Sequence, residues 1–352
     1  MREFVIGNNE AGKRFDKYIF IILSNSSSGF IYKMLRKKNI TLNDKKADGK
    51  EKLNVGDVVK FYLSDETFDK FADPKIAALF QKDEGRFLEK AGADDVLIYQ
   101  NAFKAIQDEF HPEIIYEDDN VLLVNKPAGL LSQKAENKDI SINEWLIGYL
   151  LDKKEISASQ LLTFKPSICN RLDRNTSGIV ICSKSLPGAQ KMNELLKKRG
   201  VHKYYRTIVK GIIDSEMTID GYLSKDEKNN KVEITSNETE GSSHIVTRYI
   251  PIRKNPVMNL TYIEVELITG KSHQIRAHLS SIGHPLIGDS KYGSVKFNSR
   301  FKKEYGLKYQ LLHSYRLEMP KQLEDLENLA GQIFTAKLPE IFDKILLDND
   351  LM

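Results

Sequence analysis

The chain has 352 residues, of which 41% are hydrophobic and 29% charged, with 21 glycines, 10 prolines and two cysteines. This length suggests about two domains, and the hydrophobic content excludes a wholly disordered or collagen-like chain. Cys169 and Cys182 alone cannot form a disulfide framework or a four-cysteine zinc site, so we expect a reducing, cytoplasmic location. The N-terminal stretch has no apolar signal segment and nothing near the ~20 apolar residues of a spanning helix, so we expect no membrane association.

The net charge of +4 is distributed unevenly along the chain. Residues 1–63 carry 13 Lys and Arg against 7 Asp and Glu, which gives +6. Residues 64–120 carry 6 against 15, which gives −9, and the remainder carries 34 against 27, which gives +7. Two basic blocks therefore flank an acidic segment. Basic blocks attract polyanions, although ordinary solubilising surface charge explains this arithmetic equally well.

The N-terminal block is predicted to contain two short helices followed by short strands. Apolar residues recur at helical spacing over 14–23, and serines then cap a second helix over 29–38 that has a basic face. Strands are expected over 40–43 and 58–63. A basic helix face suits contact with RNA phosphates, and a solvated lysine face is the alternative. The cations that we expect to contact RNA here are Arg14, Lys33, Arg36, Lys37 and Lys38.

The order of these parts resembles a known RNA-binding module. The strings GKRFDKY, ITLNDKKA and NVGDVVKFYL, with the basic helix among them, are similar to the small module shared with ribosomal protein S-four. The resemblance covers about residues 10–65. It implies an S-four-like RNA-binding domain over 1–65.

The acidic segment over 66–110 is predicted to be a partly helical connector. Its apolar residues are too frequent for a purely flexible linker. Ile76, Leu79 and Phe80 have helical spacing, and Phe103 with Ile106 indicates another short helix. The acidity argues against direct contact with RNA.

From residue 114 onward, β-rich runs alternate with amphipathic helices. Strands are expected over 178–182, 205–209, 245–250 and 262–268, and helices over 142–151, 190–198 and 274–281. The expected class is α+β: a small helix/strand RNA-binding domain, then a catalytic domain over 111–345 built on a large mixed or antiparallel β-sheet flanked by helices and loops. The sequence contains no Walker, GxGxxG or HExxH motif.

The densest motif is NRLDRNTSG, which runs from Asn170 to Gly178. Asp173 stands between Arg171 and Arg174, and nearby cations favour the ionised form of a carboxyl group. Taken alone, the motif is explained at least as well by a structural Arg–Asp loop as by a catalytic carboxylate.

A second motif, TGKSHQIRAHL, is followed by GHP and GD. Its histidines, His273 and His278, are five residues apart, which does not match the i, i+4 pair of a helical zinc site. His284 has no convincing partners either, so we expect no metal site and assign these histidines to capping and packing. Arg276 lies near the start of a predicted helix, where it could pair with Asp173.

These motifs resemble those of the Rlu-type (RluA-like) pseudouridine synthases. NRLDRNTSG, KYYRTIVKG, TGKSHQIRAHLSSIGHPLIGD and LLHSYRL occur in the family's order over about 114–340. One departure is Asn170, where family members commonly have His, and it places a local hydrogen bond in question. The resemblance implies isomerisation of uridine to pseudouridine in RNA, which needs no metal or cofactor.

The resemblance also implies roles for single residues. Asp173 is the essential catalytic residue, and Arg276 pairs with it. Tyr205 matches the active-site tyrosine that stacks on uracil, and Arg171 matches the arginine that assists extrusion of the target nucleotide. Lys203 is expected to contact the pocket or the RNA backbone, with a solvated surface lysine as the alternative. Whether Asp173 attacks the sugar, attacks the base or removes a ribose proton is left open.

Several alternatives for the whole protein remain at this point. Large-subunit ribosomal RNA is the favoured substrate because of the N-terminal module, with transfer RNA as the second candidate. A glycoside or nucleoside hydrolase could also use Asp173, but many such enzymes need a second carboxylate. A non-catalytic ribosome-assembly factor is the third class. We expect a monomer with no obligate protein partner.

Overall fold

The computed structural model describes residues 1–7, 9–78, 93–158, 160–226 and 231–352. Its N-terminal part folds around a small sheet in which the strand order is β1-β3-β2 and both pairings are antiparallel. The elements in chain order are β1 (Arg2–Val5), α1 (Phe15–Ile22), α2 (Ser28–Arg36), β2 (Ile40–Leu42), β3 (Val58–Phe61), α3 (Asp65–Phe71) and α4 (Pro74–Ala78).

The predicted helices and strands of the N-terminal part are present. Ser27 caps α2 by accepting a hydrogen bond from the Phe30 N–H, which satisfies one of the donors left free in the first turn. The helix ends at Arg36, two residues earlier than predicted, and Lys38 has a left-handed backbone (φ 59°). Strand β1 was not predicted, because its four residues at the chain terminus carry too short a pattern.

The predicted acidic connector contributes to two different cores. Phe68, Ala72 and Ile76 belong to the N-terminal core, together with α1 and α2. A helix of 18 residues, α5 (Ala93–Phe110), instead packs through Phe103 and Ile106 against the second core, so it is longer than the short helix expected there. The predicted positions Leu79 and Phe80 lie outside the described residues.

The second part is built on one large mixed sheet. Its strands are β4 (Glu113–Glu117), β5 (Val121–Lys126), β6 (Ser167–Ile168), β7 (Ser177–Ser183), β8 (His202–Lys210), β9 (Met217–Asp226), β10 (Lys231–Thr235), β11 (Ser243–Asn255), β12 (Leu260–Leu267), β13 (Leu312–Glu318) and β14 (Ile333–Thr335). The order across the described part of the sheet is β10-β9-β11-β12-β8-β13-β7-β5-β4, with β6 beside β7 and β14 beside β13. The β13–β7 pair is parallel and its neighbours are antiparallel, which confirms the expected α+β class with a mixed sheet.

Helices and loops cover this sheet. The helices are α6 (Ile142–Asp152), α7 (Leu186–Lys197), α8 (Gln274–Ser281), α9 (Val295–Tyr305) and α10 (Glu340–Asp348). Leu122 and Val124 of β5 face the core that contains α6, whereas Val121 and Leu123 face the core that contains α7. The centre of the sheet is thus buried on both faces and forms a rigid base for the loop before β7. Among the described residues, no helix has the length and apolar character required to span a bilayer.

Gly178 permits the close approach of β7 to β13. Its φ is +108°, and a Cβ at this position would lie 2.2 Å from the Ser314 carbonyl oxygen. We predict that Gly178→Ala lowers the free energy of unfolding by about 3 kcal/mol or more, because steric overlap adds to backbone strain. Gly241→Ala is the matched control: its φ is +76°, but nothing lies within 4 Å, so strain of about 1 kcal/mol remains. Equal losses in the free energy of unfolding for Gly178→Ala and Gly241→Ala, measured by urea denaturation, would contradict this account.

Candidate active site

An open cavity of about 820 Å³ lies where the loop before β7, strand β8 and the start of α8 meet. The loop contributes Arg171 and Asp173 to the lining, β8 contributes Lys203 and Tyr205, and α8 contributes Arg276. Both sequence motifs and the predicted tyrosine strand therefore reach one cavity.

The Asp173 loop is held by hydrogen bonds from both sides. The Ser132 hydroxyl donates to the Leu172 carbonyl (2.8 Å) and accepts from the Leu172 N–H (3.0 Å). Asn170 accepts from the Ile181 N–H of β7 at 2.7 Å, so the residue whose hydrogen bond was in question has a main-chain partner. The loop is thus anchored at Leu172, the residue that precedes Asp173, and at Asn170, three residues before it.

Arg276 connects Asp173 to a buried carboxylate. Its Nη1 donates to Asp173 Oδ2 at 2.8 Å, while Nε and Nη2 donate to Asp289 Oδ2 and Oδ1 at 2.7 and 3.0 Å. The exposed fractions are 8% for Arg276, 0% for Asp289 and 28% for Asp173. A bidentate pair of this kind fixes the plane of the guanidinium, so its remaining N–H group has a defined direction toward Asp173. Asp173 is the member of this group that is open to the cavity.

Asp289 is charged despite its burial. Burial alone would raise its pKa, but hydrogen bonds and charge attraction from Arg276 outweigh burial and hold that pKa below the usual value of an aspartic acid. The N–H groups of Lys291 and Tyr292 also donate to its Oδ1. Sequence analysis missed Asp289, although GD was quoted as part of the second motif, because nothing in the sequence indicates which arginine it faces.

His273 lies beside this ion-pair group. Its Nε2 is 3.8 Å from Asp173 Oδ2, and its Nδ1 is 3.0 Å from the Tyr292 hydroxyl. Burial lowers the pKa of His273, which favours the neutral imidazole. Within the described residues, no group of three or more His, Cys, Asp or Glu side chains is arranged to hold a metal ion.

The other predicted cavity residues differ in burial. Tyr205 is buried, and burial raises the pKa of its phenol to about 12, so the side chain is uncharged at neutral pH. Lys203 is half-buried, whereas Arg171 is exposed at the cavity and has no hydrogen bond or ion pair with any described residue.

A buried lysine behind the loop was also missed by sequence analysis. The Lys126 ammonium donates to the carbonyl oxygens of Pro127, Leu130 and Arg174 at 2.9, 2.8 and 3.2 Å. Burial lowers its pKa to about 7, and the charge of Asp173 acts in the opposite direction. Lys126 ties the Pro-Ala-Gly turn to the residue after Asp173. The sequence NKPAG places it at a strand end but gives no sign that its side chain is buried.

The N-terminal cations are separate from the cavity. Lys33, Arg36, Lys37 and Lys38 are exposed on or just after α2. Arg14 differs, because its guanidinium pairs with Asp16 at 2.6 Å, and Asp16 also accepts from the Tyr32 hydroxyl. None of these cations belongs to the cavity lining that the structure describes.

Comparisons with known proteins show which family this chain belongs to. A model of the family described as RNA pseudouridylate synthase matches residues 120–281. The ribosomal large subunit pseudouridine synthase C of Rickettsia bellii is 30% identical over 342 residues, which cover 96% of this chain and 98% of the relative. The chain belongs to the RNA pseudouridine synthase family. The expected RluA-like resemblance is thereby confirmed, and the protein is an isomerase that acts on RNA.

Two further comparisons agree with this family. The protein of the same name from Haemophilus influenzae is 27% identical over 334 residues, covering 93% of this chain and 90% of that protein. Human RNA Pseudouridylate Synthase Domain Containing 4 superposes with a TM-score of 0.54 at 23% identity, covering 72% of this chain and 97% of the human chain. The second comparison supports the fold of the large sheet and its helices.

Asp289→Asn tests the buried ion pair, because asparagine keeps the shape but removes the charge. We predict a loss of about 3–5 kcal/mol in the free energy of unfolding at pH 7, since Arg276 loses its buried counter-charge. The folded-state pKa of Asp289 is depressed, so its stabilisation is complete above the unfolded value of about 3.9 and is lost as the pH falls through the folded value. The difference between parent and variant should therefore shrink in acid.

The control is Asp325→Asn, since Asp325 is 77% exposed and 3.9 Å from Lys191. For this variant, chemical denaturation should show a change in the free energy of unfolding within about 0.5 kcal/mol, both at pH 7 and in acid. A similarly small, pH-independent change for Asp289→Asn would contradict the assigned pairing.

Proposed function

We propose that this enzyme isomerises uridines of large-subunit ribosomal RNA and that Asp173 is its essential catalytic residue. The observation that carries the proposal is a partly exposed carboxylate, held by Arg276 and directed into a cavity of otherwise cationic character. Arg276 itself is buried and fixed by Asp289, so the carboxylate is oriented before any substrate arrives.

The charges of the cavity support a polyanionic substrate. Asp173 is the single carboxylate in the lining that the structure describes. The cations of that lining are Lys134, Arg171, Lys197, Arg199, Lys203, Lys271 and Arg276. This imbalance suits an RNA backbone around a nucleotide that enters the cavity. It disfavours a hydrolase that depends on two carboxylates flanking the scissile bond.

The chemistry requires few groups. The bond between uracil N1 and ribose C1′ breaks, the base rotates, and C5 bonds to C1′ while C5 loses its proton and N1 gains one. Asp173 would stabilise or attack the sugar centre as positive charge develops there. Tyr205, buried and uncharged, would stack on the uracil, and the exposed Arg171 would fill the space left by the extruded nucleotide.

The N-terminal part is proposed to be the S-four-like RNA-binding domain over 1–65, with the connector over 66–110 and the catalytic domain over 111–345. The exposed cations of α2 support this role. Ribosomal RNA is favoured over transfer RNA because the relatives from Rickettsia bellii and Haemophilus influenzae are named as synthases of the large ribosomal subunit. An enzyme of ribosomal RNA would work in the cytoplasm as a monomer, since all proposed site residues lie on one chain.

The direct test maps pseudouridine in RNA from cells with and without this gene, and repeats the reaction with purified protein. We expect pseudouridine at defined positions of large-subunit ribosomal RNA only when the protein is present. Modification confined to transfer RNA would reject the proposed substrate. No modification of either RNA would reject the proposed activity on both.

Asp173→Asn tests the assigned catalytic residue. Asparagine is nearly isosteric, so we predict a folded protein that binds RNA with close to parental affinity but forms no detectable pseudouridine. Asp325→Asn is the control, because Asp325 is 77% exposed and both it and its partner Lys191 lie outside the described cavity lining. Product formation by the folded Asp173→Asn protein at close to the parental rate would show that the catalytic residue is wrongly assigned.

Neutralising the basic face of α2 tests the N-terminal domain. We predict that the triple change of Lys33, Arg36 and Lys37 to Gln weakens RNA binding and lowers its log–log salt slope by roughly 0.7 units per lost phosphate contact. The matched control changes three exposed lysines of the second part to Gln: Lys296, Lys302 and Lys303. If both triple variants bind RNA alike, with the same salt slope and modification sites, α2 is not a substrate-binding surface.

A further inference from the structure

We propose that Arg199 and Lys203 together form a subsite for one backbone phosphate of the substrate RNA. The inference rests on the proposed function, because it takes an RNA strand as the ligand of the cavity. Arg199 follows the C-terminus of α7, and Lys203 lies four residues further on, in β8. Both residues line the cavity that contains Asp173.

The two side chains have no counter-charge within the described part of the chain. Neither makes a side-chain hydrogen bond or an ion pair there. Other cations withdrawn from solvent are satisfied: Lys184 contacts Glu117 and Glu155 at 2.7 and 2.6 Å, and Lys126 contacts three carbonyl oxygens. Arg199 is exposed, but Lys203 is half-buried. Since half-buried cations are normally paired, Lys203 is an exception that an anion bound beside both cations would complete.

The mutual effect of the two charges strengthens this argument. Burial lowers the pKa of Lys203, and the positive charge of Arg199 lowers it further. Two like charges at a cavity wall repel each other and become favourable together only when an anion binds between or beside them. The Lys203 ammonium lies beside Gly270, where a Cβ would be 3.6 Å from the Nζ.

The backbone of Arg199 determines which test variant is suitable. Its φ is 58°, the left-handed conformation that glycine adopts most easily at a helix C-terminus. Replacing Arg199 by glycine therefore removes the side chain without straining the backbone.

The ligand class follows from the charge and the surroundings. A phosphodiester is the anion that an RNA strand supplies at every nucleotide, and arginine and lysine bind it through charge-assisted hydrogen bonds. The one carboxylate in the described lining, Asp173, is already bound by Arg276 and does not compensate this pair. The subsite would hold the strand beside the nucleotide that enters the cavity.

The test measures binding of the full-length protein to a fragment of large-subunit ribosomal RNA as a function of salt. The variants are Arg199→Gly and Lys203→Met, and the control is Lys198→Met, whose side chain is 70% exposed and pairs with Glu194. Arg199→Gly relieves the left-handed backbone, so this variant should fold at least as stably as the parent. We expect each test variant to bind several-fold more weakly, with a salt slope reduced by roughly 0.7 units, and the control to match the parent.

A second readout identifies the phosphate. Single neutral methylphosphonate linkages are scanned through a short synthetic RNA hairpin with one uridine in its loop. At one linkage, the parent and Lys198→Met should lose affinity, whereas the Arg199→Gly, Lys203→Met double variant should lose none. The subsite would be rejected if the test variants matched Lys198→Met in affinity and salt slope. It would also be rejected if the double variant were as sensitive as the parent to every methylphosphonate linkage.

These outcomes are distinguishable from failure of the proposed function, because binding is measured without turnover. If the parent formed no pseudouridine but the test variants still lost affinity as described, the proposed reaction would be rejected and the phosphate subsite retained. If the parent modified ribosomal RNA and the test variants bound like the control, only the subsite would be rejected.

Discussion

The buried ion pair between Arg276 and Asp289 is the interaction on which the rest of the site depends. Two hydrogen bonds, at 2.7 and 3.0 Å, fix the guanidinium plane inside the protein and leave Nη1 for Asp173. Removing two charges from water is costly, and the pair is stable here because its geometry is bidentate and backbone N–H groups complete the coordination of Asp289. The buried pair thus gives the Asp173 carboxylate a defined orientation.

The sheet and its loops supply the second half of that orientation. Asp173 precedes β7, a strand buried on both faces, and Gly178 lets β7 approach β13 closely. Ser132 and Lys126 hold the loop from behind through main-chain atoms, so this support does not depend on the side chains of the motif itself. The carboxylate therefore lies between the central strands and the start of α8, and contacts from both sides orient it.

The sequence was sufficient to predict the motif residues but not the groups behind them. Periodicity located α2 and α8 closely, and the resemblance of the motifs to the Rlu-type family implied that Asp173, Tyr205 and Arg276 share one site, and all three line one cavity. Asp289 and Lys126 were missed because their roles depend on contacts across 13 residues and more, which no local pattern encodes. The hairpin of β9 and β10 was also missed, although its alternation is present in the sequence: Val232 and Ile234 of β10 stand between polar residues, as Ile219 of β9 does.

The central claim is that Asp173, held in place by Arg276, acts at the sugar of a nucleotide bound in this cavity. The most direct measurement is a crystal structure of the protein with substrate RNA in which the target uridine is replaced by a non-isomerisable analogue. The account predicts an extruded nucleotide in the cavity, with its ribose C1′ beside the Asp173 carboxylate, its base against Tyr205, and both carboxylate contacts of Arg276 retained. A target nucleotide bound elsewhere, or an Asp173 turned away from the ribose, would contradict it.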